Sequence, residues 1–142
     1  MIVVPFEPHH IEMLSLQPAQ AYLRAMVTRE HAEFAATQPS FTGLLAGGDV
    51  VGCAGILPAW QGRAMAWSWV GAAAGRHMVS ITRAVHRFLD AQPHRRVEMT
   101  VDVDFDAGHR WAEILGFQLE AVRMKAYRPD GGDCSLYARV RA

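Results

Sequence analysis

Met65–Gln92 reads MAWSWVGAAAGRHMVSITRAVHRFLDAQ, and this stretch decides the fold. Arg63–Val70 is an apolar strand, after which Gly71-Ala72-Ala73-Ala74-Gly75 strips away side-chain bulk where a helix is about to begin. Arg76 and His77 bring fixed and switchable positive charge to that start. From there Met78, Ile81, Val85 and Phe88 recur at helical spacing while Ser80, Arg83 and Arg87 fall on other faces, so the spacing predicts a long helix packed through one stripe. A helix start leaves backbone N–H groups unpaired and carries a partial positive charge of about half a unit. A start free of bulk suits phosphate, which makes the bend the candidate ligand site. The same small residues also suit tight packing of strand on helix, and a glycine-rich turn alone does not separate the two roles.

Working outward, Ile2–Phe6 reads as a short strand, Pro8 as the start of a helix to about Leu14, and Pro18 as the start of a second helix reaching about Ala36. Phe41–Ala46 and Val50–Leu57 flank Gly47-Gly48-Asp49, a hairpin signal. Beyond the central helix, Val97, Met99, Val101 and Val103 alternate with Glu98, Thr100 and Asp102 as in a strand with one wet face. A helical crossover joins it to Arg63–Val70, so the two are expected to lie parallel. Asp106–Leu115 is a short helix closed by Gly116, and Phe117–Arg128 with Cys134–Val140 forms a last hairpin around Asp130-Gly131-Gly132-Asp133.

The chain of 142 residues is 51% hydrophobic with 14 basic and 14 acidic residues, which predicts one globular domain over residues 1–142. Zero net charge and a single lysine give no footprint for nucleic acid. No apolar run approaches the roughly 18 residues of a membrane span, and Met1–Pro5 lacks the basic start of a secretion signal, so no membrane partner is expected. Cys53 and Cys134 make no disulfide framework, and Cys53 sits in an apolar run as a buried thiol would; a reducing, cytoplasmic setting follows.

The element order, with a helix crossing between the fourth and fifth strands, resembles the GCN5-related N-acetyltransferase (GNAT) fold over nearly the whole chain. Ala72, Gly75 and His77 are similar to that family's phosphate loop, and His109-Arg110-Trp111-Ala112-Glu113-Ile114-Leu115-Gly116-Phe117 resembles its helix ending in Leu-Gly-Phe. The resemblance implies an α/β (α+β) domain with a mixed, mostly antiparallel sheet, a parallel central strand pair and flanking helices. It implies acetyl-coenzyme A as cosubstrate and transfer of an acetyl group to an unidentified small-molecule or peptide amine. Carried over by position, Trp69, Val70 and Gly71 would face the pantetheine, and Gly75, Arg76, His77 and Met78 would cradle the pyrophosphate. The family often has a tyrosine that protonates the departing thiolate four residues before its Gly-Phe; this chain has Ala112 there. Glu98 is then the candidate base and Tyr127, on the sixth strand, the candidate acid. Gly108-His109-Arg110-Trp111 and the drifted loop are also similar to small phage-encoded proteins of this fold, which implies a non-catalytic virion or interaction module as the alternative. A homodimer is compatible with either reading.

Other constellations carry less. His9 and His10 adjoin a helix start with no cysteine or carboxylate pair to complete a tetrahedral set, so no metal is expected. Trp67 and Trp69 share one strand face, where core packing is the commoner role for large aromatics. Glu30-His31-Ala32-Glu33 borders an acceptor pocket in the resembled family and equally suits a solvated helix face.

Overall fold

A computed structural model describes all 142 residues. The strands are β1 (Ile2–Pro5), β2 (Ser40–Leu44), β3 (Val50–Trp60), β4 (Arg63–Val70), β5 (Arg96–Asp102), β6 (Gln118–Met124) and β7 (Cys134–Val140). The helices are α1 (His9–Glu12), α2 (Leu23–Met26), α3 (Arg29–Ala36), α4 (Met78–Ala91) and α5 (Asp106–Ile114), with 3₁₀ turns at Pro18–Gln20 and Ala74–His77. The strands form one mixed sheet in the order β1-β2-β3-β4-β5-β7-β6. β4 and β5 pair in parallel, as a helical crossover requires, through Arg63↔Arg96, Ala64↔Val97 and Met65↔Glu98. The pairs β1/β2, β2/β3, β5/β7 and β6/β7 are antiparallel. No helix is long and apolar enough to cross a membrane.

Packing divides the chain into two compact units. One comprises Met1–Leu57 and Ala66–Gln92, around a core of Phe6, Ile11, Leu14, Ala32, Ala35, Val50, Cys53 and Trp69. In it α4 buries Ile81 and Val85 of the expected stripe together with Leu89, while Met78 and Phe88 are half-buried and the Phe88 ring meets Phe41 at 5.1 Å between centroids. Each such apolar side chain taken out of water stabilises the fold by about 1.5–3 kcal/mol. Gln92 is extended (φ −80°, ψ 142°) ahead of Pro93, which ends α4 as the proline dictates. The other unit comprises Pro58–Met65 and Pro93–Ala142, where β7 lies between β5 and β6.

Several boundaries differ from the sequence reading. The expected helix from Pro18 to Ala36 is three pieces, because Val27 is extended (φ −95°, ψ 114°) and Thr28 starts a new helix by accepting from the His31 N–H. His31 completes the box by accepting from the Thr28 N–H, so the Thr-x-x-His signal was present in the sequence. The first helix is one turn, and β6 ends at Met124, which leaves Tyr127 in the connection to β7 and not on the sixth strand. Glu98 is not on a wet face: it is 5% exposed.

α5 approaches the sheet at Gly108, where an added Cβ would lie 2.6 Å from Phe105 Cδ2 and 2.8 Å from Val101 Cγ1. Gly108→Ala therefore overpacks this contact and is expected to lower stability by about 1–3 kcal/mol in urea unfolding.

Candidate functional site

The candidate loop follows the last residue of β4 in the first unit. The Gly71 N–H donates to the Val51 carbonyl at 2.8 Å, the Ala72 N–H to Ser15 at 2.6 Å, and the Ala74 N–H to Gly71 at 3.0 Å. The glycines of the bend do different work. A Cβ at Gly71 would lie 3.0 Å from the Val51 carbonyl oxygen and 3.2 Å from Leu14 Cδ2, so its smallness serves close packing. At Gly75 an added Cβ would meet nothing within 4 Å, so its lack of a side chain serves no internal contact.

Arg76 and His77 belong to the 3₁₀ turn, and the α-helix starts at Met78, later than its spacing suggests. His77 is the N-cap of α4 and makes no side-chain capping bond, while the Met78 N–H donates to the Gly75 carbonyl of the preceding 3₁₀ turn. Gly75 and Arg76 are exposed, His77 and Met78 half-buried, and Trp69, Val70 and Gly71 buried.

The β4 backbone is already engaged. With the Gly71 N–H turned toward β3, strand alternation points the Val70 N–H and C=O to the opposite edge. There the Val70 N–H donates to Gln20 Oε1 at 2.8 Å, Gln20 Nε2 donates to the Ser68 carbonyl at 2.8 Å, and the Gln17 N–H donates to the Val70 carbonyl at 3.1 Å. A β-bridge between Leu16 and Gly71 completes this short false strand. Trp69 is a core residue, 5% exposed, with the Arg24 guanidinium 5.6 Å from its ring. Trp67 packs edge-on to Phe6 at 5.2 Å, and its indole N–H is buried without a partner. Burial pushes the Cys53 thiol up to about 11, which makes it inert, as its apolar run implied.

Glu98 and Tyr127 lie in the second unit, and both act on Arg63. Glu98 accepts from Arg63 Nε and sits 3.5 Å from Arg96 Nη2. Arg96 in turn holds Glu120 by two bonds of 2.5 and 3.0 Å. The Arg63 hydrogen bond, with help from Arg96, outweighs burial and holds the Glu98 carboxyl below its usual range, so it is a weak base. Tyr127 is half-exposed and close enough to Arg63 to favour its charge. Ala112, where the resembled family often has tyrosine, is fully buried on α5. The same unit carries an open groove of about 1050 Å³ lined by Trp60, Arg63, His94, Arg95, Arg96 and Glu98, with the Arg63 guanidinium 4.3 Å from the Trp60 ring.

No protein-family model matches the sequence, and no curated protein matches it. Solved structures do match in shape. Ard1 from Thermoplasma volcanium superposes with a TM-score of 0.80 at 20% identity, covering 99% of this chain and 97% of its own. A GNAT-family acetyltransferase from Bacillus anthracis gives 0.70 at 16% identity, over 97% and 93% of the two chains. A mutant spermidine N-acetyltransferase from Vibrio cholerae gives 0.69 at 11% identity, over 99% and 95%. The chain has the GNAT acetyltransferase fold. At such identities the likeness is one of fold.

Within the GNAT fold, sequence reasoning missed three features. Gln17 and Gln20 carried no local signal for their bonds to β4. The Arg63–Glu98–Arg96 cluster required the parallel register, and the Thr28 cap was overlooked. His109 and Tyr137 are also linked: Nε2 lies 2.9 Å from the Val103 carbonyl and so carries the proton, which leaves Nδ1 to accept from the Tyr137 hydroxyl at 2.8 Å.

Glu98→Gln is expected to leave two arginines facing a neutral group and to cost about 1–3 kcal/mol at pH 7. The sign with pH follows from the lowered pKa. The carboxylate contributes its full stability above the unfolded value of 4.5 and loses it as pH falls through the lower folded value. Urea unfolding should therefore separate wild type from Glu98→Gln at pH 7 and bring them together in strong acid.

Proposed function

We propose that the protein is an acetyl-coenzyme A-dependent N-acetyltransferase that modifies a small-molecule or peptide amine. The observation that carries this reading is the start of α4: a helix of 14 residues, without a side-chain cap, entered through an exposed and unobstructed Gly75 with Arg76 beside it. That start offers the cosubstrate's pyrophosphate the positive end of α4 with Arg76 beside it; of the expected donors Gly75–Met78, the Met78 N–H is already given to the Gly75 carbonyl. The acceptor nitrogen attacks the thioester carbonyl, the N–C bond forms, the C–S bond breaks, and the departing sulfur takes a proton as the amine gives one up. Holding the two reactants together supplies much of the rate. Of the two candidate proton carriers, Tyr127 is half-exposed, whereas Glu98 is committed to two arginines.

Pantetheine pairing at Trp69–Gly71 requires the Gln17 and Gln20 bonds to Ser68 and Val70 to give way. The exchange replaces protein amides by pantetheine amides on the same backbone groups, so the hydrogen-bond count is conserved. The same bonds favour a second reading, an interaction module that has kept the fold without the chemistry, because they leave β4 satisfied without a cosubstrate.

Calorimetric titration with acetyl-coenzyme A, coenzyme A and 3′-dephospho-coenzyme A decides between the two. Micromolar binding is the expected result, and no heat up to millimolar ligand would overturn the enzyme reading. Gly75→Val should weaken that binding at least about tenfold while folding is retained, since the added side chain meets open space and not protein. Gln20→Ala frees the Val70 N–H and the Ser68 carbonyl and should tighten coenzyme A binding by about fivefold, the worth of roughly one net hydrogen bond. Weaker binding in Gln20→Ala would instead make Gln20 a ligand-holding residue.

A further inference from the structure

The groove of the second unit is built from two chain segments outside the candidate cosubstrate loop. One is the turn between β3 and β4, Trp60-Gln61-Gly62-Arg63, and the other is the approach to β5, Pro93-His94-Arg95-Arg96. The Arg96 N–H donates to the Gly62 carbonyl at 2.9 Å, and Arg63 pairs in register with Arg96, so backbone ties the two segments together. The open groove they line holds about 1050 Å³.

The charges in the groove are held in place. Glu98, the one carboxylate of the lining, is 5% exposed; its Oε2 accepts from Arg63 Nε and its Oε1 lies 3.5 Å from Arg96 Nη2. Its charge is spent on fixing two guanidiniums. Glu120, outside the lining, holds Arg96 by two further bonds. Arg63 gives only Nε to Glu98, its Nη groups have no bond within the chain, and its guanidinium stacks 4.3 Å from the Trp60 ring. Arg95 is exposed and makes no ion pair. With both glutamates counted, the three arginines leave one positive charge in surplus, and the unspent donors belong to Arg63 and Arg95.

Trp60 is 66% exposed, whereas the other three tryptophans are buried or half-buried. Tryptophan and arginine carry much of the binding energy where proteins meet, provided the partner covers them. A small molecule in so open a groove would leave much of that ring wet, since small-molecule sites enclose most of their ligand. A phosphate backbone takes many cations at once, which one surplus charge does not supply. The match is a polypeptide segment with carboxylates beside an apolar side chain. We propose that the groove docks an acidic segment of a partner protein, with its carboxylates on Arg95 and the Arg63 Nη groups and an apolar side chain on Trp60. The site stands whether or not the loop after β4 holds a cosubstrate.

The test probes an array of capped octapeptides with the full chain, each peptide carrying two glutamates at varied spacing and one leucine, phenylalanine or tryptophan. Binders are then titrated by calorimetry. The expected result is a set of peptides with dissociation constants below about 1 mM, each weakened at least about tenfold when its glutamates become glutamines. A tenfold rise in salt should weaken them as well. Arg95→Glu and Trp60→Ala change exposed side chains, so folding is retained, and each should weaken binding at least about tenfold. Arg83→Glu, which makes the same charge change on α4, should change nothing. No peptide below about 1 mM, equal binding of the glutamine counterparts, or equal binding by Arg95→Glu would each overturn the site. An oligothymidylate that binds more tightly than every peptide would overturn the choice of partner.

Discussion

The end of β4 must satisfy two edges at once, and much of the first unit is arranged around that requirement. A buried backbone N–H or C=O left unpaired costs about 1–3 kcal/mol, so each group at Ser68–Gly71 needs a partner. Val51 on β3 serves Gly71 on one side. On the other side the partners are a backbone N–H from Gln17 and both ends of the Gln20 amide. The chain is extended at Gln17, makes a 3₁₀ turn over Pro18–Gln20 that places Gln20 on the strand, continues through the short α2, and breaks at extended Val27 before Thr28 caps α3.

The second unit depends on charge in the same way. Glu98 is buried in a strand, where an uncompensated carboxylate would shift toward its neutral form. Arg63 on β4 and Arg96 on β5, the strand that carries Glu98, stand in register beside it, and Glu120 on β6 keeps Arg96 in place. The net effect is a carboxylate more firmly charged than in water. A group held so is suited to fixing two arginines and poorly suited to taking a proton from an amine.

What was legible in the sequence was local. The stripe of α4, the bend Gly71–Gly75, the Asp49 hairpin and the Leu-Gly-Phe helix end all follow from residues within a few positions of one another, and the fold follows from their order. What was not legible spans distance. The Gln20 bonds reach 48 and 50 residues along the chain, and no propensity of glutamine announces them. Alternation placed Glu98 on one face of β5 but could not say what covers that face; the parallel register with β4 decides it. The contact of His10 with Thr42 likewise spans 32 residues.

The fold neighbours share 11–20% of their residues with this chain, yet they match it in shape over 97–99% of its length. A site whose contacts come from main-chain N–H groups tolerates such drift, because any residue with the right φ and ψ supplies the same donor. Under the proposed reading, Ala72 and His77 can then differ from the family's pattern at little cost. Side-chain roles have no such protection. Ala112 is fully buried, so the tyrosine missing there has no room to be restored without displacing the interior of α5. The Tyr137 hydroxyl is spoken for as well, since the Val103 carbonyl fixes the His109 tautomer that accepts from it. Under the acetyl-transfer reading, this scaffold is therefore left with positioning by backbone and without a buried side chain free to carry a proton.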